Sequence, residues 1–192
     1  MSIVDLTSDQ HEWLEASIAG AEGTVRMYPL HVDLQRGTRT VLLAFPDGWA
    51  RPASGTQPAG EELVPLAGGL TMSGHRVGGG EVLVVTPRAL RAATSSEDGT
   101  RAVVFYSGSG GGWVEGDSLA AGTIDVRRLT PGTVREETDG LVGHLELVHE
   151  VPEDGFDVDV EVVWLQSQQY AVIPRRGLPP QIEGEALVRF LD

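Results

Sequence analysis

Short apolar runs separated by glycine- and proline-bearing turns recur along this chain, and they limit its fold more than any other feature. There are 25 Gly and 11 Pro in 192 residues. Turn residues at such close spacing favour short strands folded back on one another in an antiparallel sandwich or barrel. Residues 24–34 and 38–45 flank the turn Gln35-Arg36-Gly37. Residues 62–66 and 70–73 flank Gly68-Gly69, residues 81–86 follow three glycines, and residues 101–106 close this stretch. A second β region spans residues 124–129, 141–151, 156–165, 169–173 and 186–191. Within it Asp157, Asp159 and Glu161 alternate with Phe156, Val158, Val160, Val162 and Trp164, which predicts a strand with one wet face. Such a face is also a candidate surface for a homodimer.

Before residue 24 the pattern reads differently. Thr7-Ser8-Asp9-Gln10 fits a capping box, Trp13, Leu14 and Ile18 follow, and Gly20 and Gly23 provide stops. The expectation is therefore a short N-terminal helix in residues 1–23, a β-barrel in 24–107, a Gly/Ser-rich linker in 108–122 and a second β region in 123–192. A faint internal repeat joins the two β regions. Val84-Val85-Thr86-Pro87 followed by Ala102-Val103-Val104-Phe105 is similar to Val172-Ile173-Pro174 followed by Ala186-Leu187-Val188-Arg189.

Composition then excludes several chemistries. The formal net charge is -14, from 14 basic and 28 acidic residues, and all the basic residues are Arg. A charge of this sign repels a phosphate backbone, so no nucleic-acid partner is expected. Without Cys there is no disulfide framework, thiol nucleophile or thiolate metal site. Without Lys there is no side-chain Schiff base and no P-loop lysine. No leader-like segment and no apolar run of membrane-spanning length occurs, so the expectation is a cytoplasmic protein with no membrane partner.

Two stretches in the middle of the chain resemble the cupin superfamily, in particular its ChrR-like, anti-sigma-factor-like members. Residues 55–68 are similar to the first cupin motif, in which two His separated by one residue precede a Glu and then a Gly seven positions later. Glu61 and Gly68 keep that last spacing. Residues 80–92, with Pro87 after an apolar strand, are similar to the second motif. The resemblance implies a double-stranded β-helix barrel, or a bicupin-like duplication whose second half is incomplete. It also implies a metal, and here the chain departs from the family. The paired His positions fall on Gly55 and Gln57, or on Ser54 and Thr56, and the third falls near Ala92. One carboxylate does not hold a transition metal, so neither metal nor other cofactor is expected. The five His form no ligand-spaced group.

A barrel without its metal keeps a mouth, and barrel mouths bind ligands. The resemblance places Ser54, Thr56, Gln57 and Glu61 there, with Arg91, Trp49 and Tyr106 as further wall candidates. Glu61 is the candidate catalytic group if chemistry occurs, and an ion pair with an Arg such as Arg91 is its structural alternative. Glu62, its neighbour on a strand, is expected to be exposed. Three readings stay open: a metal-independent binder of a small organic molecule, a metal-independent isomerase, cyclase or lyase using Glu61 as acid or base, and a structural or regulatory dimerisation module.

Overall fold

A computed structural model describes residues 2–191. Residues 1 and 192, which end the first and last of the expected segments, lie outside them. The chain divides into two compact units, one formed by residues 11–128 and the other by residues 2–10 with 129–191.

The unit of residues 11–128 contains a seven-stranded antiparallel sheet. Its order is Ile124–Arg128, Glu81–Val85, Gly60–Ala67, Arg101–Ser107, Thr38–Ala44, Thr24–Asp33 and Leu14–Ser17. A four-stranded sheet runs Ala50–Arg51, Thr94–Ser96, Leu70–Met72 and His75–Val77. Alternation along the strands sends Val41, Leu43, Leu63, Leu83 and Val104 of the large sheet into one cluster with Leu70, Met72 and Val77 of the small one. No continuous ladder joins the two sheets, so the barrel is not closed. Gly68 turns the chain between Gly60–Ala67 and Leu70–Met72 with φ +64°, and a Cβ there would meet Thr100 Cα at 2.9 Å. The family-like glycine is thus required by backbone geometry.

The other unit is a six-stranded antiparallel sheet in the order Ile3–Asp5, Gln169–Ile173, Val160–Trp164, Ala186–Phe190, Leu145–Val148 and Gly132–Arg135. From Gln169–Ile173 to Gly132–Arg135 its strand order matches that from Glu81–Val85 to Thr24–Asp33 in the larger sheet. In each, a central strand lies between the two strands that follow it, Val160–Trp164 here and Gly60–Ala67 there. The faint sequence repeat falls on those flanking strands in both units.

Two expectations are corrected. No helix forms among the described residues; residues 2–23 contain the strands Ile3–Asp5 and Leu14–Ser17 instead. Asp5 Oδ1 accepts from the Thr7 backbone N–H at 2.8 Å and from its hydroxyl at 2.7 Å, so the polar run forms a turn rather than a helix cap. A helix this short is weak alone, whereas each strand finds a ladder partner.

Secondly, the predicted wet face of 156–164 is not wet along the strand. The strand is only Val160–Trp164, and all five residues are buried. Glu161 lies opposite Arg189 in the ladder, and the two side chains meet at 3.2 Å with neither exposed. The Tyr170 hydroxyl donates to the other oxygen of Glu161 at 2.6 Å. Glu62, expected outside, is likewise buried.

The stretch 108–122 contributes one short strand. Val114–Glu115 pairs with Gly55–Thr56.

Two stability outcomes follow, both read from urea unfolding. Gly68→Ala lowers stability by at least about 1–2 kcal/mol through the left-handed conformation and the contact with Thr100. Arg189→Met strips Glu161 of its buried counter-charge and costs about 3–5 kcal/mol.

A cavity at the polar end of the open barrel

Strand register assembles the site. Glu61 stands opposite Tyr106 in the ladder, and Tyr106 stands opposite Arg39. These three form one polar row across three strands of the large sheet. Inward positions two residues further along, Leu63, Val104 and Val41, make the next row apolar. The Arg39 guanidinium lies over the Tyr106 ring, 4.3 Å from its centroid. From the small sheet, Arg51 pairs with Thr94 across the ladder and donates from one terminal nitrogen to the Thr94 hydroxyl at 3.0 Å. The Arg51 guanidinium lies 5.0 Å from the centroid of Trp113. Trp113 reaches this position only because residue 55 is glycine; a Cβ there would overlap its indole. Trp49 packs edge-on against Phe45, with ring centroids 4.9 Å apart.

Together these side chains enclose a cavity of about 280 Å³. Its polar wall is Arg39, Arg51, Gln57, Glu61, Thr94 and Tyr106, and its apolar wall includes Leu43, Phe45, Leu63, Leu70, Met72 and the two indoles. The segment from Ala16 to Ala19 lines one side.

Arg91 lies behind this wall. It is fully buried and all three guanidinium nitrogens are engaged. Nε donates to Glu61 Oε1 at 3.0 Å, while the terminal nitrogens donate to the Ala89 and Ala59 carbonyls, each at 3.1 Å. Its backbone is locked by reciprocal bonds to Gly55 at 2.9 and 3.0 Å. Arg91 is therefore the counter-ion of Glu61.

Two of the ionisable groups facing the cavity, Arg51 and Tyr106, are perturbed. Burial is the main cause that pushes the Arg51 pKa below its ordinary value; Glu61 opposes this and Arg91 adds to it. Burial also raises the Tyr106 phenol, with Glu61 adding to the rise and the three Arg opposing it. Tyr106 is half-buried and lines the cavity.

Of the residues expected at the mouth, Trp49, Gln57, Glu61 and Tyr106 line the cavity. Arg91 reaches it only through Glu61. Thr56 is buried and Ser54 half-buried, both outside the wall, and the Ser54 carbonyl accepts from Gly116 N–H at 2.9 Å. Arg39, Arg51 and Trp113 escaped sequence reasoning. Pairing of residues 38–45 with 101–106 was enough to put Arg39 beside Tyr106. No local signal marks Arg51, which arrives on a two-residue strand.

No family model and no curated protein sequence matches the chain. Solved structures do. A provisionally assigned dioxygenase from Nostoc punctiforme is similar at TM-score 0.68 and 12% identity, over 98% of this chain and 81% of that one. A provisionally assigned glyoxylate-induced protein from Pseudomonas aeruginosa is similar at TM-score 0.57 and 11% identity, over 91% and 82%. A bacterial pirin from Escherichia coli, solved in complex with nickel(II), is similar at TM-score 0.50 and 11% identity, over 94% and 95%. These are cupin-fold proteins, and this chain has the cupin fold. At such identities the likeness is one of fold.

The Tyr106 shift has a consequence for stability. In the unfolded chain a tyrosine ionises near its ordinary value of about 10, while the folded phenol keeps its proton to higher pH. Its contribution is complete below about pH 10 and is lost as pH rises beyond, because only the unfolded chain releases the proton. Tyr106→Phe should flatten this alkaline decline, measured as urea midpoints between about pH 9 and about pH 11.

Proposed function

We propose that this protein binds a small organic molecule in the cavity of residues 11–128 and does so without a metal. The observation that carries the reading is the cavity itself: about 280 Å³, apolar on one side and polar on the other, at the end of a cupin-fold sheet. A cavity with this division of walls suits a ligand with one polar end and an apolar body.

The donor set does not fit the metal that the cupin fold implies. Glu61 is the single carboxylate on the wall, and it is already engaged by Arg91. No His lines the cavity, and among the described residues no group of three His, Asp or Glu lies close enough to hold an ion. The paired His positions fall on Gly55 and Gln57 or on Ser54 and Thr56; a side chain at 55 would displace Trp113, and Ser54 and Thr56 lie off the cavity wall. Position 57 is Gln, and Ala92 lies off the wall. The neighbouring Arg39 and Arg51 would repel a cation. The metal-dependent activities of the fold are therefore not carried over.

In this reading Glu61 is a positioning residue. Its carboxylate holds Arg91, and through Arg91 the loop of Ala59 and Ala89, rather than passing a proton to a substrate. The ChrR-like subtype and a homodimer remain without a structural counterpart in this proposal.

Thermal-shift screening of a metabolite library in the presence of a chelator tests it, with native mass spectrometry of the purified chain. Stabilisation by an organic compound under chelation is the expected outcome. A shift produced only by divalent cations, or an empty protein that no compound stabilises, overturns it.

A further inference from the structure

The cavity is electrostatically opposite to the chain that builds it. The chain carries a net charge of -14. The cavity wall carries two guanidinium groups, Arg39 and Arg51, against the single carboxylate of Glu61, which Arg91 already neutralises. Positive charge is thus left over on a wall that the fold shields from the acidic surface.

Arg51 is the sharper part of that surplus. It is only 4% exposed, and its Nε is buried without any hydrogen-bond partner. Its one side-chain hydrogen bond goes to the neutral Thr94 hydroxyl, and the indole of Trp113 supplies a further weak attraction. Trp49, equally buried, also has its indole N–H without a partner. Both residues line the same cavity. A buried donor left unpaired carries its full desolvation cost, and a buried guanidinium needs a counter-charge as well. The partner that answers both is an acceptor bearing negative charge. Water would satisfy the donors but not the charge, and a neutral apolar ligand would satisfy neither.

We infer that the ligand is an organic carboxylate: its charged end is held by the Arg51 guanidinium, with Trp49 as a second donor on the same wall, and its apolar body lies against Leu43, Leu63 and Met72. This rests on the cavity-binding reading above and names the class of molecule for that cavity. The carboxylate is favoured over inorganic anions because the apolar wall would otherwise face the hydration shell of the ion. Arg39, held over the Tyr106 ring, adds a second positive group at the same end.

The test is calorimetric titration of the full chain, under chelation, with three acids and the amide of each: phenylacetate, 3-phenylpropionate and hexanoate. Acid and amide share shape and differ in charge. At least one acid should bind about tenfold or more tightly than its amide, the scale of a charge-assisted hydrogen bond. Arg51→Met should abolish that preference, while Arg51→Lys should retain part of it. Trp49→Phe, which keeps the ring and removes the donor, should weaken the acid by about tenfold and leave the amide less affected. Unfolding midpoints of each variant separate lost binding from lost fold. Amides binding as tightly as their acids would overturn the carboxylate and leave cavity binding standing. Failure of all three acids overturns the carboxylate; cavity binding falls with it only if the thermal-shift library is silent too. An unchanged acid preference in folded Arg51→Met overturns the assignment of Arg51.

Discussion

The register of Gly60–Ala67 against Arg101–Ser107 decides where every polar group of the cavity stands. Because side chains alternate with period two, that register sends Glu61 inward with Leu63 and sends Glu62 and Val64 to the opposite face. It also aligns Tyr106 with Glu61, and the next ladder aligns Arg39 with Tyr106. A slip by one residue would put Glu62 in the cavity and Leu63 outside it. The antiparallel ladder thereby converts three residues, distant in sequence, into a single polar row above an apolar floor.

Inward placement of Glu61 creates a charge that the fold must answer, and Arg91 answers it from a loop held by Gly55. Glu161 and Arg189 show the same solution in the other unit, there as direct ladder neighbours with Tyr170 completing the carboxylate's bonds. Buried ion pairs of this kind contribute little net stability, since desolvation offsets most of the attraction. Breaking one is costly, however, so each pair fixes a register and a loop position more firmly than an apolar contact would. Arg51 differs from both because no carboxylate pairs with it among the described residues. The contrast between a saturated Arg91 and an unsaturated Arg51, on neighbouring elements of one cavity, separates structural charge from charge available to a ligand.

Gly55 also shapes the site. It admits the Trp113 indole, which packs beside Arg51, so an aromatic ring and a guanidinium stand side by side on the cavity wall.

Much of this architecture was legible in local sequence. Turn-forming glycines and prolines bounded most strands, and the spacing of Glu61 and Gly68 pointed to the cupin fold. Four of the seven residues expected at the mouth are on the cavity wall. Local pattern misled where pairing overrode it. The first 23 residues read as helical because capping residues and spaced apolar groups have that meaning only in a segment without ladder partners. Glu62 and Glu161 read as exposed because alternation reports two faces and does not say that both are covered. By itself, then, the sequence determined strand periodicity and turns. Tertiary structure alone decided which charges are buried, that Arg39 and Arg51 meet at one cavity, and that Arg91 is spent on Glu61. Those facts depend on contacts between residues tens of positions apart, which no local pattern encodes.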